Sequence, residues 1–430
     1  MLSFGSALFF VLAAIVVVAA RRILSKPQAA HSHAPPQLSS TKISSQPLPA
    51  TWYGSEKIHE LERRAIFSKK WILLTHKIRL PESGAYIRYE EAGFNFFLIR
   101  NNEGIVRGFH NICRHRAFPV VTKDNGTASI LSCKYHGWSY GFNGQLAKAP
   151  EYQNLKGFDK KKNGLFPLHV HVDERGFVWV NMDAKIKPEV SWASDFTGID
   201  RLARHEPFNL DDYKFDHTSQ EDIDYNWKTL ADKYSSNSKT EQFFTTGEES
   251  EKSSRMISDF YFPNAAMTFS PHFFIMMRCN PVGPARSSVE YEVFRHKDAS
   301  DEDFNKAEDI IKRASEENKS LPNPSEKNFN TGILVNEAPL YFQSQVRQLL
   351  EHHSNLEEVA KKEIRPAQQV VEQVSEQDES LFSSCSGLSC GKIAKELAWK
   401  GVETDMDECQ VKNIGAYVEL GGFAQAFGKL

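Results

Sequence analysis

Two short motifs constrain this chain more than any other feature: Cys113-Arg114-His115 and, seventeen residues further on, Cys133-Lys134-Tyr135-His136. Each places one thiolate and one imidazole within a tight span. Four such donors can hold zinc or a [2Fe–2S] cluster. Zinc sites tend to pair like with like, Cys near Cys and His near His. Here each motif carries one of each, which suits a cluster with two thiolates on one iron and two imidazoles on the other. Cys113 and Cys133 then hold the first iron, and His115 and His136 the second. Neutral imidazoles raise the reduction potential above that of an all-cysteine cluster, so the centre can pass single electrons.

The rest of the composition narrows the setting. At 430 residues the chain is long enough for two globular units. A formal net charge of -3 gives no reason to expect nucleic acid as a partner. Six cysteines without close regular spacing do not read as a secreted disulfide framework and suit a reducing compartment. Met1 to Ala20 holds no charged residue and is followed at once by Arg21, Arg22 and Lys26. Twenty residues at the helical rise just span a bilayer, so residues 1–20 are predicted to be a single-pass transmembrane anchor with the globular part in the cytosol. The rival reading is a signal peptide cleaved at Val18-Ala19-Ala20, although its positive n-region is missing. Residues 21–50, rich in Pro, Ser, Gln and Ala, read as a flexible linker.

Beyond the linker, a short helical pattern over Ile58–Phe67 precedes apolar runs at Ala85–Tyr89, Phe94–Arg100, Ile105–Phe109 and Phe177–Met182, which predict strands. The two Cys/His motifs lie within this β-rich stretch. From about Ser191 helical segments at Trp227–Tyr234 and Asp301–Glu317 mix with aromatic strands at Met267–Arg278 and Val289–Arg295, an α+β pattern. After Pro339–Gln343 the chain is polar and helical to about Gln377, then weakly patterned to Leu430.

The stretch Asn111-Ile112-Cys113-Arg114-His115-Arg116, together with Cys133 to Tyr140, resembles the Rieske domain of Rieske-type non-haem iron oxygenases. Trp71, Gly84 and the strand over Phe177–Asn181 also fall where such domains have them. Tyr225-Asn226-Trp227-Lys228, Asp232, Tyr234 and Pro339–Gln343 resemble the catalytic domain of choline-monooxygenase-like members. The resemblance implies a β-rich Rieske domain over 51–190 and an α+β catalytic-type domain over 191–345, and the polar pattern beyond makes 346–430 a helical C-terminal extension. It also implies a mononuclear Fe(II) held by two His and a carboxylate, a small or amphipathic substrate oxygenated with O2, and an assembly in which electrons cross between copies; the membrane expected beside the body follows from the apolar N-terminal run. No glycine-rich dinucleotide fingerprint follows a strand, so electrons must come from a separate NAD(P)H-dependent reductase or ferredoxin.

One segment departs from the family. Asn-Trp-Lys and the acid after it should lead into a bridging carboxylate and a His pair spaced H-x4-H, yet Ser235 to Thr245 contains no His. His205, His217, His272 and His296 are too scattered to replace that pair, and Glu241, Glu248 and Glu249 read as a solvated face. The resemblance puts the third ligand at Asn318, with Glu316 or Glu317 as substitutes. Asp232 would brace the catalytic helix. The catalytic residues therefore stay unknown, and two functions stay open: an oxygenase component, or an electron-transfer or regulatory Rieske protein lacking the mononuclear iron. Cys279 reads as a small core residue, and Cys385 and Cys390 lack the third Cys of a ferredoxin signature.

Overall fold

The computed structural model describes residues 46–152, 155–237, 256–321 and 337–366. Helix α1 (Glu56–Glu62) opens the fold, its first turn capped by the Ser55 hydroxyl, which accepts from the Ile58 N–H. The strands β1 (Ile72–His76), β2 (Ala85–Glu91), β3 (Phe94–Arg100), β4 (Val106–His110), β5 (Asn125–Thr127), β9 (Pro167–Val172) and β10 (Phe177–Asn181) form an antiparallel seven-stranded sheet ordered β1-β10-β9-β4-β3-β2-β5. The β2–β3 turn is Ala92-Gly93, both with positive φ, the two-residue loop whose twist matches that of the flanking strands. A three-stranded sheet of β6 (Leu131–Ser132), β7 (Ser139–Tyr140) and β8 (Leu146–Lys148) stands on this body.

The second part is a five-stranded antiparallel sheet with helices on it. Its strands are β11 (Tyr213–Ile223), β12 (Ile257–Tyr261), β13 (Ala265–Phe269), β14 (Phe273–Gly283) and β15 (Arg286–His296), in the order β11-β15-β14-β13-β12. Following the short helix α2 (Trp192–Phe196) come α3 (Trp227–Asn237), α4 (Asp301–Lys319) and α5 (Glu337–Ala360). Helix α4 starts as its sequence dictates: Ser300 Oγ accepts from the Asp303 N–H, and three acids fill the first turn. One apolar core reaches from Phe96 and Val180 of the first sheet to Trp227, Val293 and Phe342 of the second part.

Most strand expectations hold, and two differ. The single strand expected over Met267–Arg278 is a hairpin, because Pro271 cannot donate to a ladder and the chain turns there, with Ser270 N–H bonded to Phe273 C=O at 2.8 Å. Strand β11 has no apolar run to announce it; alternate residues along its length face solvent, and it pairs with β15 from Tyr213 to Ile223. The membrane placement is corrected: no helix among the described residues is long and apolar enough to cross a membrane. Met1–Ala20, on which it rested, lies outside the described residues, as do the linker to residue 45, Lys239–Thr245, Glu248, Glu249, Cys385 and Cys390.

Candidate metal centre

The two Cys/His motifs fold into matching loops. One follows β4, and the other joins β6 to β7. In each, the Cys N–H donates to the carbonyl five residues on, Cys113 to Phe118 and Cys133 to Trp138, both at 2.9 Å. In each, the N–H four residues on returns to the Cys carbonyl, Ala117 to Cys113 at 2.9 Å and Gly137 to Cys133 at 3.0 Å. That fourth residue has φ of 65° in Ala117 and 70° in Gly137. Glycine reaches this conformation without strain, whereas Ala117 holds it at a cost of order 1 kcal/mol. Buried Asn111 anchors the first loop: its Oδ1 accepts the N–H groups of Val120 and Val121, and its Nδ2 donates to Asn95 and the Val121 carbonyl.

This doubling brings the four side chains together. Cys113 and Cys133 are buried free thiols close enough to interact, and burial pushes the Cys113 thiol up. The His115 and His136 rings lie 4.6 Å apart, centre to centre. His115 is sandwiched by Trp138, nearly parallel at 5.1 Å, and its Nε2 meets the Tyr152 hydroxyl at 3.2 Å. Burial pulls His115 down to about 4, so the imidazole is neutral. Its Nδ1 is buried without a hydrogen-bond partner. A neutral imidazole with one nitrogen held and the other unsatisfied, beside two buried free thiols, is a donor set that fits a metal cluster. His136 is exposed, leaving one edge of the centre at the surface.

Residues 70–159 match the family described as the Rieske [2Fe-2S] domain. This chain carries a Rieske iron–sulfur domain. Its Rieske part is similar to that of Rieske non-haem iron oxygenases, choline-monooxygenase-like ones among them, and a Rieske domain implies a [2Fe–2S] cluster. The chain is 33% identical over 135 residues to the carnitine monooxygenase oxygenase subunit of Acinetobacter pittii, covering 31% of this chain and 36% of the relative. It is 32% identical over 191 residues to the chloroplastic choline monooxygenase of Beta vulgaris, covering 43% and 41%. The chain therefore spans about two fifths of the length of these relatives. A quaternary ammonium Rieske monooxygenase solved with L-carnitine has the same fold at TM-score 0.59 and 20% identity, covering 70% of this chain and 95% of that one.

Two tyrosines touch the centre: Tyr140, which closes the stretch that carries the Rieske resemblance, and Tyr152, which the sequence did not single out. Tyr140 sits on β7, accepts from the Arg114 N–H at 3.0 Å and reaches Cys113 Sγ at 3.3 Å. Tyr152 follows β8 after a turn through Glu151, another positive-φ residue.

The place expected for a second iron is different. Among the described residues no three His, Cys, Asp or Glu side chains converge on one point. The two Cys and two His of the loops instead stand as two pairs, thiol beside thiol and imidazole beside imidazole. Buried His205 pairs with Asp259, at 2.6 Å; His217 lies between Asp216 and Glu308; His272 and His296 sit near other acids. Asn318 is buried on α4, its Oδ1 taking Lys233 Nζ at 3.0 Å and its Nδ2 donating to the Tyr291 hydroxyl at 3.3 Å. Glu316 is exposed, and the exposed Glu317 pairs with the same Lys233 ammonium at 3.0 Å. The adjoining cavity, lined by Tyr234, Met277, Tyr291, Ile310 and Ile311, is about 10 Å³, room for about one water. An ammonium bonded to a neutral amide does not fit a divalent metal. Asp232 does brace α3: buried, it accepts from the Tyr53 hydroxyl at 2.9 Å and from Gln343 Nε2 at 3.0 Å.

Proposed function

We propose that the chain is the cluster-bearing component of a Rieske oxygenase system, reduced by a separate NAD(P)H-dependent reductase or ferredoxin. Cys113 and Cys133 would hold one iron and His115 and His136 the other; bound there, the cluster supplies one-electron acceptance. The observation that carries this reading is the pair of matching loops, which gather two buried thiols and two imidazoles from segments seventeen residues apart. The chain's own residues do the tuning. Tyr152 fixes the His115 tautomer, Tyr140 touches the Cys113 sulfur, and Trp138 and Tyr152 shield the imidazole from water.

The partition into 51–190, 191–345 and 346–430 follows the same reading, as does an assembly of several copies. Its oxygenase half would act on a small molecule, and quaternary amines of the carnitine and choline kind are the first class to try. A second reading is favoured by the Lys233–Asn318 contact: the chain takes up electrons without a mononuclear iron and serves electron transfer or regulation.

The test is anaerobic purification followed by iron, sulfide and zinc analysis, absorption and EPR. Two irons and two sulfides per chain with an anisotropic reduced signal support the cluster. Zinc without sulfide would sink it. Substrate-dependent O2 uptake with a quaternary amine would separate the first reading from the second.

A further inference from the structure

We infer that Glu91, Arg278 and the charged groups around them form a proton-operated clasp between the two parts of the molecule, shut while the group holds one proton and loosened when that proton leaves. The clasp does not rest on the cluster reading. Its first support is a count of charges. Arg278 on β14 donates to Glu91, the last residue of β2, at 2.6 Å and also to Glu290 on β15. Arg79, just past β1, donates to one oxygen of Glu292 on β15, whose other oxygen accepts from the Thr75 hydroxyl at 2.6 Å. Three carboxylates thus meet two guanidiniums, and Glu91, Glu292 and Arg278 are all fully buried in the joint. The other groups facing Glu91 among the described residues supply no third cation. Tyr89, its ring 5.0 Å from the Arg278 guanidinium, and Cys279 are neutral, burial pushing both upward. Asn264 and Asn280 are amides, and Arg63, next to α1, is already paired with Glu60 at 2.6 Å. An unbalanced buried charge is costly, so a group one cation short takes up a proton instead.

Which acid holds the proton follows from the bonds each one makes. Both oxygens of Glu292 are taken, and the Glu290 side chain reaches solvent. Glu91 has one oxygen on Arg278, whereas the other has only the Asn264 amide at 3.5 Å, long for a hydrogen bond. That oxygen is the seat of the proton. Burial agrees, raising the Glu91 carboxyl to about 7 against the pull of Arg278. Glu91, Arg278 and Glu290 line a cleft of about 1260 Å³ between the parts, which gives the proton a way out and water a way in. Glu91 also leads into the Ala92-Gly93 turn, which the second part holds by its backbone. The Ala92 N–H donates to Asn280 Oδ1 at 2.7 Å, and Asn280 Nδ2 donates to the Glu90 carbonyl. Loss of the proton leaves one buried negative charge in excess, and letting the turn come away from β14 relieves it by hydration.

The experiment is hydrogen exchange read by mass spectrometry on the full chain at pH 6 and pH 8, corrected for the intrinsic rate at each pH. Opened, Glu91 is an ordinary carboxylate and is ionised at both values. Shut, it keeps its proton at pH 6 and has lost it at pH 8, so protection of the peptide spanning Glu91–Phe94 should fall about tenfold between them. Glu91→Gln, neutral throughout, should remove that step. Glu290→Gln, which leaves two acids for two guanidiniums, should remove it as well, and because Glu290 reaches solvent this variant serves if the buried one fails to fold. Equal protection of the wild-type turn at the two pH values would overturn the clasp. A step of wild-type size in either folded variant would also overturn it, by placing the proton on another group.

Discussion

The loops at His115 and the helix at Asn318 answer the same question in opposite ways. Around the Rieske motifs the chain leaves bonding capacity unused: a buried imidazole nitrogen without a partner and two buried thiols not joined to each other. Around Asn318 the polar atoms are satisfied internally, by Lys233, Tyr291 and the neighbouring Tyr234. Buried polar groups are normally bonded, so orphaned donors are where a missing group belongs, and saturated ones are where the chain has closed on itself. One end of the molecule is shaped for iron. The other is shaped around an ammonium and an amide.

The largest effect should come from breaking the first half of that contrast. Replacing Cys133 by Ser should abolish the visible spectrum, and His136→Cys should alter or abolish the EPR signal, because imidazole distinguishes the outer iron. Metal analysis of the wild type should give about two irons per chain, and Asn318→Asp should leave that count unchanged, since Lys233 would pair with the new carboxylate. A third iron in either protein would show that donors outside the described residues complete a site.

The next effect tests what holds the second half in place. Lys228 on α3 is fully buried, 2.5 Å from Glu62 of α1, which also accepts from Trp227 Nε1 at 2.8 Å. Lys228→Met strands a buried carboxylate and should lower the unfolding free energy by about 3–5 kcal/mol in urea titration. A cost near zero would mean that Glu62 takes up a proton and that the ion pair does not join the two parts.

Asp232 gives a smaller, pH-dependent effect. Burial raises its carboxyl to about 7, against Gln343, Tyr53 and Lys228, which lower it. Between an unfolded value near 4 and the folded value near 7, the folded chain holds a proton the unfolded chain has lost. The stability from this group is thus complete below about pH 4 and falls as pH rises through 7. Asp232→Asn keeps an oxygen for Tyr53 and Gln343 and should remove about 2 kcal/mol of that decline between pH 5 and 7. An unchanged pH slope would place the shift elsewhere, Glu91 being the other buried acid raised to about 7.

How much of this the sequence could reveal depended on how local each feature is. The four candidate ligands were legible because each pair sits on one loop, within three residues of each other. The strands β2, β3 and β10 were legible because their apolar runs are buried. Strand β11 was not, since Lys214, Asp216, Thr218, Gln220 and Asp222 break any apolar run and only pairing with β15 makes it a strand. Tyr140 and Tyr152 touch the centre through tertiary folding, twenty-seven and thirty-seven residues from the atoms they bond. Asn318 was legible through resemblance alone, and the resemblance could not show that Lys233 faces it.

Those two tyrosines supply the finest test, because hydrogen bonds of similar length should move the reduction potential in opposite directions. The Arg114 N–H donates to the Tyr140 oxygen, which leaves the Tyr140 hydroxyl hydrogen free to point at Cys113 Sγ. A hydrogen bond donated to a sulfur ligand draws charge from it and favours the reduced state, so Tyr140→Phe should lower the potential. At Tyr152 the polarity reverses. With His115 bound through Nδ1, its Nε2–H donates to the Tyr152 oxygen at 3.2 Å, which makes the imidazole a stronger electron donor and favours the oxidised state. Tyr152→Phe should therefore raise the potential. A net hydrogen bond is worth about 1 kcal/mol, which for one electron corresponds to about 40 mV. Protein-film voltammetry or a dye-mediated EPR titration resolves shifts of that size. Shifts of the same sign in both variants would mean that loss of packing, not hydrogen-bond direction, sets the potential, and that His115 does not present Nδ1 to the iron.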